Sequence, residues 1–141
     1  MTKSTEQQSI NSFERLIGKW KLTGEVSGTV EYKWAEGEHF LIQEVDMKYA
    51  GRAIRGIEFI GHISKPGKPK TPEVRSRFYS FLNGLTLDYI YEIEANTVRI
   101  WLEDKSLNNF MQAEISQDGQ KFVGAWQWPG GGYAFQANKI S

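Results

Sequence analysis

The chain contains no cysteine, which excludes disulfides, thiolate nucleophiles and cysteine-based metal sites. Its 2 histidines, with no cysteine beside them, are too few for a structural zinc site, so no metal is expected. Proline is scarce at 4 residues, and most of it sits in one stretch, Lys65-Pro66-Gly67-Lys68-Pro69-Lys70-Thr71-Pro72. That stretch breaks any strand and reads as an exposed loop, too short to separate domains. No apolar run approaches the roughly 20 residues needed to span a bilayer, so no membrane span is expected. The opening residues, Met1-Thr2-Lys3-Ser4-Thr5-Glu6-Gln7-Gln8, lack the apolar core of a signal peptide, and a cytoplasmic location is the expectation. Charge of either sign is not in excess, with Lys+Arg at 17 and Asp+Glu at 17. A nucleic-acid partner would call for a basic stripe, so none is expected.

What the chain does have is aromatic residues: 5 Trp, 6 Tyr and 8 Phe in 141 residues. This length suits one domain with a substantial core. Residues 1–8 read as a disordered tail, and 9–141 as a single domain.

The organising stretch is Ser12-Phe13-Glu14-Arg15-Leu16-Ile17-Gly18-Lys19-Trp20. Asn11 or Ser12 can cap a short helix whose apolar face carries Phe13, Leu16 and Ile17. So short a helix needs a surface to lie on, and the rest of the chain offers only strands. It is expected to plug one end of a barrel. Alternating apolar and polar residues then mark about ten strands, near 20–26, 29–34, 39–49, 52–63, 74–82, 85–93, 98–102, 110–115, 122–128 and 133–140. Tight turns separate them, read at Ser27-Gly28, Glu36-Gly37, Ala50-Gly51, Asn83-Gly84, Ala95-Asn96 and Asp118-Gly119. An even meander of this kind avoids free edges most simply by closing into an up-and-down antiparallel barrel. A two-sheet sandwich is the alternative, with only the proline loop to serve as a crossover.

The Gly18-Lys19-Trp20 turn between helix and first strand resembles the opening of the calycin superfamily of lipocalins, fatty-acid-binding proteins and nitrobindin-like barrels. With Gly56-Ile57-Glu58-Phe59-Ile60-Gly61 and Gly124-Ala125-Trp126-Gln127-Trp128, the whole chain from about residue 12 is similar to a bacterial lipocalin-like family of unknown function. The resemblance implies a barrel with Trp20 packed at its base, and little about activity. Nitrobindin-like haem proteins carry Gly-x-Trp-x-Gly-x-Gly and a haem-ligating His near the C-terminus. Here the run is Gly18-Lys19-Trp20-Lys21-Leu22-Thr23-Gly24 and no His follows His62, so haem is disfavoured and no cofactor is expected.

Candidate ligand-binding residues are polar or aromatic groups on faces otherwise built for an interior. His39 and Gln43 share a side with Leu41, Val45 and Met47, while Glu58 and His62 share one with Ile54 and Ile60. Glu58 and His62, four residues apart, are about 13 Å apart along a strand and cannot touch. Arg77 and Tyr79 alternate on the neighbouring strand, and Arg77 is a candidate partner for Glu58. Trp34, Trp101, Trp126, Trp128, Tyr89, Tyr91 and Tyr133 can line a pocket or fill the barrel solidly. Facing in 52–63 and 74–82, where polar and apolar residues mix, stays open. Three readings follow: a barrel that binds a small apolar or amphipathic molecule, an enzyme using Glu58 or a His for acid–base work, or a filled structural barrel that dimerises through an exposed strand.

Overall fold

The computed structural model describes residues 8–141; the tail expectation falls almost wholly on 1–7, outside the described residues. Ten strands follow one another: β1 (Gly18–Gly24), β2 (Val26–Trp34), β3 (Phe40–Tyr49), β4 (Arg52–Gly61), β5 (Val74–Ser80), β6 (Thr86–Glu94), β7 (Thr97–Leu102), β8 (Phe110–Ile115), β9 (Lys121–Trp128) and β10 (Gly131–Lys139). Each pairs antiparallel with the next, and β1 pairs with β10, so the sheet closes on itself. The sandwich alternative is thereby overturned. So is dimerisation through a strand edge, because every strand is paired on both sides.

Alternation decides what faces inward. On β1, Trp20 and Leu22 are buried while Lys19, Lys21 and Thr23 are not. The same two-residue period carries Val26, Val30 and Tyr32 on β2, and Leu41, Gln43 and Val45 on β3, into the interior. Ser27-Gly28, expected to be a turn, lies inside β2; Gly28 is paired with both Leu22 and Met47. The chain reverses instead at Glu25, between β1 and β2.

The N-terminal helix is a 3-10 helix, Ile10–Leu16, capped by Ser9, whose hydroxyl accepts from the Asn11 N–H at 3.2 Å. Three residues per turn place Ile10, Phe13 and Leu16 on one face, and Phe13 and Leu16 are buried. Ile17, counted on that face at α-helical spacing, has left the helix and is only partly buried. The helix lies across one end of the barrel. Arg15 donates to the Ala95 carbonyl at 2.8 Å and to Asn96 Oδ1 at 2.8 Å, in the β6–β7 turn. Gln8 donates through its backbone to the Pro72 carbonyl at 3.0 Å and accepts from the Ile93 N–H at 3.2 Å. Beneath the helix lies the most deeply buried layer, Phe13, Trp20, Leu41, Ile60 and Val74. Each such side chain contributes about 1.5–3 kcal/mol through burial. Trp20 also donates from Nε1 to the Leu16 carbonyl at 2.8 Å, which fixes the helix end to β1.

Candidate functional site

Above that layer the barrel is hollow. A cavity of about 340 Å³ runs toward the end opposite the helix, where half-buried Ile54, Leu102, Asn109, Trp128 and Tyr133 stand near the strand ends. Its wall is aromatic from base to mouth. Trp20 packs on Phe122 (4.6 Å between centroids), Phe122 on Phe135 (6.0 Å), Phe135 on Tyr133 (6.4 Å) and Tyr133 on Trp128 (6.0 Å). Tyr49 leans on Tyr133 at 4.6 Å, and Tyr89 on Trp126 at 5.9 Å.

The floor is polar. Tyr32 on β2, Gln43 on β3 and Glu58 on β4 are direct cross-strand neighbours, one row across three strands. Gln43 Nε2 donates to the Tyr32 hydroxyl at 2.9 Å. Glu58 Oε2 accepts from the Tyr91 hydroxyl at 2.8 Å and from the Ser76 hydroxyl. Among the described residues no buried side-chain polar atom lacks a partner, and both bonds to Glu58 fall on Oε2. Oε1 is therefore the oxygen that opens on the cavity.

No cation faces this carboxylate. Burial pushes the Glu58 carboxyl up to about 7, against the weaker opposing effect of the Ser76 and Tyr91 hydrogen bonds. Burial also raises the phenols of Tyr32, Tyr89 and Tyr91, and the Glu58 charge adds to each shift. These phenols stay neutral across the physiological range and act as donors or acceptors only.

Of the expected site residues, the structure gathers Gln43, Glu58, Trp126, Trp128 and Tyr133 around the cavity. Trp34 points inward but lies opposite Leu41 at the closed end, packed into the core. His39 is exposed in the β2–β3 turn. Arg77 and Tyr79 face outward, because Arg77 pairs with Phe59 in register while Glu58 pairs with Phe78. Arg77 meets Asp88 at 2.6 Å on the outer surface, so the pairing with Glu58 does not occur. His62, just past the end of β4, meets the Thr71 carbonyl through Nδ1 at 2.7 Å. With Phe40, Phe59, Arg77 and Tyr79 it borders a separate outer groove of about 300 Å³. Trp101 also stands outside, under the Lys105 ammonium at 4.5 Å.

Ser76 and Tyr32 were not singled out from the sequence. Val74, Ser76 and Phe78 form one inward face of β5, and a small hydroxyl between two apolar residues was the available signal.

No protein-family model matches the chain, and no curated protein matches it in sequence. The ten-strand closed barrel and its cavity therefore carry the functional reading alone. Among the described residues no helix is long and apolar enough to cross a membrane, and no group of acidic residues and histidines is placed to hold a metal ion.

Proposed function

We propose that the barrel binds a small amphipathic molecule, apolar body toward the mouth and polar head on Glu58. The observation that carries this is an interior of about 340 Å³, lined by aromatic and aliphatic side chains, with one carboxylate oxygen at its floor, Glu58 Oε1, that opens on the cavity and is not bonded to a described residue. Such cavities suit small ligands, whose apolar surface favours binding by about 25 cal/mol per Å² before ordering costs. A solidly filled barrel would leave no such space. The closed meander, with Gly18-Lys19-Trp20 at its helix-capped end, supports a calycin-like assignment. Histidine is missing from the cavity lining among the described residues, which supports a reading without haem.

The test is fluorescence titration with N-phenylnaphthylamine, a neutral apolar probe. Saturable one-to-one binding is expected, and it should be lost in Met47→Trp, which fills the mouth at a half-buried position. Failure to saturate, or equal binding by the variant, overturns the reading.

One observation favours a second reading, acid–base catalysis on a carbonyl compound in the same cavity. Glu58 has a carboxyl raised to about 7 and a cavity-facing oxygen, the combination a general base needs near neutral pH. Exchange of the methyl protons of acetonaphthone in heavy water, followed by NMR, checks it. Exchange above the buffer rate that disappears in Glu58→Gln would establish the catalyst; exchange at the buffer rate would exclude it.

A further inference from the structure

The floor of the cavity presents two acceptors and no positive charge. Glu58 Oε1 and the side-chain oxygen of its cross-strand neighbour Gln43 receive no hydrogen bond from any described residue. The groups packed around Glu58 are neutral on every side: Tyr32 on β2, Gln43 on β3, Ser76 and Phe78 on β5, and Tyr89 and Tyr91 on β6. Among the described residues the cavity lining includes no lysine, arginine or histidine.

We propose that the head of the bound molecule is a protonated amine, seated between the free oxygens of Glu58 and Gln43. This deepens the binding reading above and rests on it. An ammonium brings three donors and a charge; two donors match the two acceptors, and the third can lie toward the aromatic wall at Tyr89 and Trp126. A ligand hydroxyl supplies one donor and leaves the second acceptor empty. A ligand carboxylate would meet Glu58 with no cation between them, and two such groups cannot both ionise there. Of the lining donors that make no hydrogen bond with a described residue, Asn109 stands near the mouth, and the Tyr89 hydroxyl near Glu58 offers an acceptor head only a neutral donor.

The pairing makes a signed prediction about protons. The amine binds the ionised form of Glu58, so the free carboxyl, with its value of about 7, must lose its proton first. Affinity should rise as pH rises toward neutrality, about tenfold per unit below pH about 7, and level off above it. A ligand that accepts a hydrogen bond from the protonated carboxyl would show the reverse slope.

The experiment compares naphthylethylamine, naphthylethanol and naphthylacetate, which share one body and carry three heads, by tryptophan fluorescence from about pH 5.5 to 8.5. Expected is at least tenfold tighter binding of the amine at the upper end, with the rising slope. In Glu58→Gln the amine's advantage should collapse to within twofold. Should that variant not fold, the slope in the wild-type protein decides by itself. Equal or tighter binding of the alcohol or the acetate, or a falling slope for the amine, overturns the head-group assignment and leaves the binding barrel standing. Binding by none of the three overturns both.

Discussion

Phe13 and Tyr91 meet edge to face, their ring centroids 5.9 Å apart and their planes at 76°. One ring belongs to the helix that closes the barrel; the other carries the hydroxyl that donates to Glu58. The plug and the polar floor are therefore one packed unit. Phe13→Ala should cost about 3–5 kcal/mol of unfolding free energy, the usual range for a fully buried phenylalanine. Chemical denaturation measures it, and a loss below about 1 kcal/mol would show that the helix is dispensable to the barrel.

Glu58 sets a pH dependence whose sign is fixed. Its folded value of about 7 stands above the ordinary 4.5, so the folded state keeps the proton longer than the unfolded state. Stability from this group is fully present below about 4.5 and is lost as pH rises through about 7, an effect of about 3 kcal/mol. Glu58→Gln cannot ionise and escapes the loss. Its stability relative to wild type should therefore increase between about pH 5 and pH 8. Tyr91→Phe should behave oppositely, since its hydroxyl supports the ionised carboxylate by about 1.5–3 kcal/mol and the protonated form by less. Parallel stability profiles for the three proteins would contradict both statements.

Gly28 is a further test, this time of strand geometry. Its φ is +123°, and a Cβ built there would stand 2.2 Å from the Asp46 carbonyl oxygen on β3. That obstacle is backbone and cannot turn aside. Gly28→Ala should destabilise by more than the roughly 1 kcal/mol that separates glycine from alanine elsewhere, and in the opposite direction. Thermal melts that show the variant unchanged or stabilised would mean that β2 bends differently.

Arg77 supplies the contrast. It is exposed and paired with Asp88 on the outer surface. Arg77→Ala should leave the dissociation constants of N-phenylnaphthylamine and naphthylethylamine within twofold of wild type. A larger change would place the binding surface outside the barrel.

The barrel was legible because its strands alternate cleanly and its turns are short. Trp20-Leu22 and Leu41-Gln43-Val45 announce their inner faces without help from tertiary structure. The site was legible only where a polar residue interrupts an apolar face, as Gln43 and Glu58 do. On β5 the same rule misled, because Arg75, Arg77 and Tyr79 alternate as regularly as Val74, Ser76 and Phe78. A two-residue period says that two faces differ, not which one is inside, and only the register against β4 decides. Two glycines, Gly56 and Gly61, flank Glu58, and β4 is continuous through Arg52–Gly61. Rings cover both positions: Phe78 lies over Gly56 and Phe40 over Gly61. The helix type was beyond sequence reading because Phe13 and Leu16, three residues apart, share a face in a 3-10 helix and in an α-helix alike.

Closure by β1 and β10 has a temporal consequence during synthesis. The first strand emerges early, but its second partner is the tenth strand, with Trp20 finally lying opposite Lys139 and the Ile140 N–H reaching the Lys19 carbonyl at 2.8 Å. Until β10 leaves the ribosome, nine strands form a curled ribbon with two raw edges and an open aromatic interior. Hairpins can form in passing, because each strand pairs with the one just made. The circuit cannot. The growing chain is therefore most vulnerable to sticking to its neighbours until β10 has emerged and paired with β1, the step that hides both edges.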